Sequence, residues 1–225
     1  MSAITVEHEG RSYVLGRHLD AAHDFRSRAF PARTAPLVTT THTHHGPVFD
    51  QGQLGSCTGN ATAQALNTDP LIPASRRLLT EADAIAIYSW ATHHDSYRGA
   101  YPPTDTGSDG LSVAKAAKHL ELISSYQHAF GLDHVLGALV VRPLIIGIPW
   151  LQGMFAVRSD GYLQVTGAVA GGHEVCLHGI DVERQAVRLL NSWSSSWGDQ
   201  GEAWLRWADL GSLLDQRGDA TVLIP

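Results

Sequence analysis

The 225-residue sequence contains two thiols, Cys57 and Cys176, and Cys57 stands where a thiol is reactive. It closes the segment Asp50-Gln51-Gly52-Gln53-Leu54-Gly55-Ser56-Cys57 and opens an apolar-periodic stretch through Ala61, Ala63, Ala65 and Leu66. That pattern predicts a helix with Ser56 as its cap. A cysteine in the first helical turn feels the positive end of the macrodipole, which favours the thiolate, the nucleophilic form. The glycines before it permit a tight turn that brings backbone N–H groups toward a substrate carbonyl. Gln51, six residues upstream of Cys57, adds an amide donor for the oxyanion of a tetrahedral intermediate. The alternative is a buried, inert thiol at a helix start.

A thiolate needs a proton partner, and there are thirteen histidines to choose from. His173 stands out because Gly171-Gly172 leads it into the apolar run Val175-Cys176-Leu177, a strand entry that presents the ring at an edge. A neutral imidazole used as a base must be held in one tautomer by an oxygen on its other nitrogen. Asn191, at the end of Leu189-Leu190, supplies such an oxygen, and Trp193 and Trp197 follow it to exclude water. Each residue also has a structural alternative: a strand-end histidine, a hairpin asparagine, and tryptophans of an ordinary core.

The elements that must position these groups fall in two regions. Helices are expected from Cys57 to Leu66, from a Thr80–Asp83 capping box through Ala84, Ile87, Tyr88 and Ala91, from a Ser112 cap through Leu120, and from His134 to Val140. Strands are expected at Ser12–Leu15, Leu144–Ile148, Tyr162–Val165, Glu174–Ile180, Ala186–Leu190, Glu202–Leu205 and Ala220–Ile224. Helices first and strands later is the α+β pattern, two lobes meeting along a cleft. Residues 37–47, with His42, His44 and His45, read as a polar, solvated loop, and no metal site is assigned there.

Three separated motifs, in the right chain order, resemble the papain family of cysteine peptidases. They are Gln51-Gly52-Gln53-Leu54-Gly55-Ser56-Cys57, His173 with Val175 two residues on, and Asn191-Ser192-Trp193-Ser194-Ser195-Ser196-Trp197-Gly198-Asp199-Gln200-Gly201. The resemblance covers roughly residues 47–225. It implies a helical lobe over 47–140 and an antiparallel, β-barrel-like lobe over 141–225, with the active site in the cleft between them. It implies Cys57 as nucleophile, His173 as acid and base, Asn191 as the residue orienting it, and Gln51 with the Cys57 N–H as oxyanion hole. Trp193 resembles the shielding indole and Trp197 a cleft wall. Gly107 and Ser108, in the segment Asp105–Ser108, fall where the family pairs with an extended substrate, and Gly172 is also expected to contact substrate. Gly147 and Gly171 fall at the main specificity pocket, and two glycines there suggest room for a bulky apolar side chain.

The sequence departs from the family at Thr58, Glu174 and Ser194, and lacks its extra cysteines. The 116-residue spacing from Cys57 to His173 is short against a usual range of about 130–150. Residues 1–46 read as an N-terminal arm, either a clasp across the lobes or a short pro-segment. The resting pair is expected as thiolate and imidazolium.

A formal net charge of −6 argues against nucleic acid, and no apolar run suits a membrane span. The expected partner is a polypeptide, no cofactor is expected, and the oligomeric state is open. The first residues do not resemble a secretory signal, so a cytoplasmic or virion-associated protein is expected. Two rivals share the motifs. One is an amidase or transamidase acting on peptidoglycan or another specialised amide, and the other is an inactive papain-like binding module.

Overall fold

The structure, a computed structural model, describes residues 3–20, 25–73 and 76–225. Two hydrophobic cores meet where the candidate residues lie. The first is helical. Helix α1 (Cys57–Leu66) is buried along its whole length, so it runs through the middle of this core rather than over it. Helix α2 (Glu81–His94) packs Ala84, Ile87, Tyr88 and Ala91 inward, the face expected from their spacing. Gly59 lets the two axes approach, because a β-carbon there would lie 2.9 Å from Tyr88 Cβ. At the start of α2 Thr80 and Asp83 form the expected capping box, with the Thr80 N–H donating to Asp83 at 2.7 Å.

Two caps differ from expectation. Helix α3 (Gly110–His119) is capped by Asp109, whose carboxylate accepts from the Ser112 N–H at 2.8 Å, so Ser112 lies inside the first turn. Ser56 makes no side-chain cap on α1; its hydroxyl instead accepts from Asn60 Nδ2 at 3.0 Å.

The second core lies against an antiparallel sheet. A hairpin at the start of the chain joins β1 (Ile4–His8) to β2 (Arg11–Leu15). Then come β3 (Thr40–Thr41), β4 (Ser125–Ala129), helix α4 (Gly131–Val141), β5 (Leu144–Leu151) and the long β6 (Val169–Asp181). Strands β7 (Ala186–Leu190) and β8 (Glu202–Arg206), helix α5 (Trp207–Asp215) and β9 (Asp219–Ile224) complete the chain. The strand order is β4-β9-β5-β6-β7-β8, with β3 paired to β6. Among the described residues the two ends of this path do not pair, so the barrel-like lobe is an open sheet. Residues 162–165 form only isolated bridges, Tyr162 to Trp204 and Leu163 to Val157, and not the expected strand.

The register matters for the site. Gly147 on β5 faces Glu174 on one side and Asp219 on the other, and Ile148 faces His173. The expected solvated loop is partly buried: His42 is 8% exposed and its Nε2 bonds the Leu139 carbonyl at 2.7 Å, while His44 bonds Thr68.

Candidate active site

Cys57 opens α1 and His173 lies on β6, which packs against α1; among the described residues no hydrogen bond joins the two side chains. Cys57, the first residue of α1, is fully buried, and Cys176 is likewise a buried free thiol. His173 on β6 is also fully buried. Its Nε2 lies 2.8 Å from Asn191 Oδ1, which also accepts from the Ser192 N–H at 2.8 Å. An oxygen that already accepts from a backbone N–H fixes the tautomer: Nε2 carries the hydrogen and Nδ1 the lone pair. Nδ1 has no hydrogen-bond partner within the described chain. Backbone amides of Glu174, next to His173, and of Gly16 reach the Cys57 sulfur.

Aromatic rings wall the imidazole. Trp193 stacks on His173 with centroids 4.6 Å apart, and Trp150 meets its edge at 4.8 Å. Trp197 lies against Trp193 and is anchored by its indole N–H to the Phe155 carbonyl at 2.8 Å. Ser194 adopts φ 64°, the left-handed region that favours glycine. The turn is therefore kept although a serine occupies it.

Gln51 is tied to the same loop. Its backbone N–H donates to the Ser192 carbonyl at 2.9 Å, and its Oε1 accepts from Ser192 Oγ at 2.8 Å. That leaves Nε2 as donor, and it donates to the carbonyls of Val14 at 3.0 Å and Leu54 at 2.9 Å.

Val14 belongs to the N-terminal arm, which runs through the cleft. Gly16 accepts from the Ser108 N–H at 2.8 Å, the Arg17 N–H donates to Gly172 at 3.0 Å, and the His18 N–H donates to Ser108 at 3.0 Å. Arg17 thus pairs in parallel with Ser108 and antiparallel with Gly172, bridging the two walls. Leu15 covers Gly171, and Gly107 lies against the Gly16 backbone. Tyr13 tilts onto Trp193 at 4.6 Å.

Covering the site removes water, and both protonation equilibria respond. Burial pushes the Cys57 thiol up to about 12, with the amides of Glu174, Gly16 and Thr58 pulling the other way. Burial pulls the His173 imidazole down to about 4, opposed by its bond to Asn191. Desolvation disfavours the charged form of each. Burial thus favours the neutral form of each group, against the ion pair that the helix position of Cys57 favours.

Several neighbours escaped the sequence reading. Asp105 accepts from the Gly55 N–H at 2.7 Å and from the Tyr88 hydroxyl at 2.5 Å, and Tyr88 accepts from the Gly107 N–H at 2.9 Å. This chain ties the loop before Cys57 to the wall that carries Gly107 and Ser108. Arg17 pairs with Asp219 in a buried cluster beside the cleft, with the Glu174 carboxyl next to them. Glu174 was visible only as a departure from the family pattern; nothing local marks the other two.

Solved structures resemble this fold over nearly the whole chain. Xylellain, a cysteine protease from Xylella fastidiosa, matches with a TM-score of 0.75 at 19% identity, covering 93% of this chain and 95% of that one. This chain has the papain-like cysteine peptidase fold. Two proforms share it: digestive procathepsin L 3 of Tenebrio molitor larval midgut has a TM-score of 0.64, 16% identity and coverage of 94% and 75%. Procathepsin B S9 from Trypanosoma congolense has a TM-score of 0.64 at 11% identity, with 94% and 86% covered. No family model and no curated protein matches the sequence. Among the described residues no helix is long and apolar enough to cross a membrane.

Proposed function

We propose that this protein is a cysteine peptidase, described here in a covered resting form. The observation that carries the reading is the tautomer. Asn191 Oδ1 fixes the hydrogen of His173 on Nε2, so the lone pair sits on Nδ1, the nitrogen left without a partner. Nδ1 takes the Cys57 proton as sulfur bonds to the substrate carbonyl carbon, and the carbonyl π electrons move to oxygen. Gln51 Nε2 and the Cys57 N–H donate to that oxyanion. The tetrahedral centre collapses, the C–N bond breaks, and His173 returns the proton to the leaving amine, giving a thioester. A water molecule then loses a proton to His173 and adds to the thioester, and the departing sulfur recovers that proton.

The arm must move before any substrate enters, because Val14 uses the Gln51 donor and residues 16–18 use the wall hydrogen bonds. A thiol-directed peptide electrophile, followed by peptide mass mapping, tests the assignment. Label is expected on Cys57 and not on Cys176, and Cys57→Ala is expected to abolish peptide cleavage. Cleavage unchanged in Cys57→Ala ends the proposal.

A further inference from the structure

The bond-breaking steps make no use of Glu174 or Asp219, yet both are buried beside the cleft. The Glu174 side chain is 0% exposed, and neither of its carboxyl oxygens has a hydrogen-bond partner in the described chain. Burial and the charge of Asp219 push that carboxyl well above its ordinary range, with Arg17 opposing them. Two carboxyl groups in a dry space are costly unless a cation joins them.

That cation is supplied by the arm. Arg17 donates from Nε at 3.1 Å and Nη2 at 2.5 Å to Asp219 Oδ1, and from Nη2 at 2.8 Å to the Arg217 carbonyl. Its Nε lies 3.9 Å from Glu174 Oε2. Two glycines make the room. A β-carbon on Gly147 would lie 2.6 Å from Asp219 Oδ1 and 2.7 Å from Arg17 Cδ. One on Gly110 would lie 2.7 Å from Asp219 Oδ2 and 2.8 Å from Glu174 Oε1. The space is a slot of backbone and carboxyl groups, fitted to a long side chain ending in positive charge.

Arg17 enters the slot from a backbone paired to Gly172 and Ser108, the edges an extended substrate would use. A residue laid on those edges after the arm departs directs its side chain at the same carboxyl groups. We propose that the Glu174–Asp219 slot selects an arginine or lysine of the substrate at the residue paired with Gly172 and Ser108, and that Arg17 imitates that residue. The proposal rests on the peptidase reading. It replaces the expectation of an apolar pocket: Gly147 provides space, Asp219 supplies the charge that pairs with Arg17, and Glu174 adds carboxyl oxygens beside it.

The test uses the full-length chain carrying Gly16→Ala to loosen the arm. Its substrates are peptides identical except for arginine, lysine, citrulline or leucine at the slot residue. Citrulline keeps the length of arginine without its charge. Arginine is expected to exceed citrulline and leucine in kcat/KM by tenfold or more. Adding Asp219→Asn, or separately Glu174→Gln, is expected to shrink that ratio toward one while leucine peptides are still cut. Thermal melting of each variant confirms a folded protein. Cys57-dependent cleavage with equal rates on leucine and arginine overturns the slot proposal and leaves the peptidase reading standing. Asp219→Asn raising all rates alike, with the ratio unchanged, makes the carboxyl groups a latch and also overturns it. No Cys57-dependent cleavage of any peptide overturns both.

Discussion

Gly16→Ala should open the cleft. A β-carbon at this position would overlap the Gly55 carbonyl and lie 2.7 Å from Gly55 Cα. Ordinary carbon contacts need about 3.5–4.0 Å, so the arm must withdraw by roughly 1 Å. Three hydrogen bonds depend on its present position: Ser108 N–H to Gly16 at 2.8 Å, Arg17 N–H to Gly172 at 3.0 Å, and His18 N–H to Ser108 at 3.0 Å. Each is worth about 1 kcal/mol net. Losing all three shifts the balance between covered and open forms by about 3 kcal/mol, roughly a hundredfold. The assay is the rate at which a peptide electrophile labels Cys57 in the full-length protein, wild type against Gly16→Ala, at equal pH. Labelling should accelerate by one to two orders of magnitude, while Cys176 stays unmodified. An unchanged or slower rate in a variant that melts like wild type would refute the argument that the close passage of Gly16 over Gly55 holds the cover down.

Acid should weaken the covered structure through His173. Its imidazole is lowered from 6.5 to about 4, so the unfolded chain binds the proton first, and stability present above pH 6.5 is lost as pH falls toward 4. The loss is about 3 kcal/mol. Buried His18 and His42 and half-buried His44 shift in the same direction, so the informative quantity is the difference between proteins. His173→Gln should lose less melting temperature between pH 7 and pH 4 than wild type, and equal losses would count against it. Tyr88→Phe strands Asp105 Oδ1 and the Gly107 N–H and should cost about 1–3 kcal/mol in chemical denaturation. A cost below about 0.5 kcal/mol would mean that this hydroxyl does not tie the two loops together.

The helical region was legible where periodicity and burial agree. The Ala84, Ile87, Tyr88 and Ala91 face of α2 lies inward as its spacing predicts. Strands β5, β6, β7 and β9 were found because both faces are buried, which writes continuous apolar runs such as Leu144-Ile145-Ile146. Strand β4, Ser125–Ala129, was missed because its sequence, Ser-Tyr-Gln-His-Ala, carries no such run and is defined by pairing with β9. Helix α5 was missed because Trp207–Asp215 follows β8 without a break. Cys57, His173, Asn191 and Gln51 could be singled out as candidates because each stands in a short motif. Arg17 and Asp219 were not: they are 202 residues apart, and only the return of the arm across β9 brings them together. The burial that opposes a charged pair was not legible for the same reason, since part of it comes from the distant arm.

The cover also bears on chemical durability. Peroxide and disulfide exchange both act through the thiolate. Burial pushes the thiols of Cys57 and Cys176 up and so lowers the share of that form in both. A molecule stored with Leu15 to His18 in place would keep its sulfur reduced through oxidative exposure, becoming vulnerable only when the segment lifts.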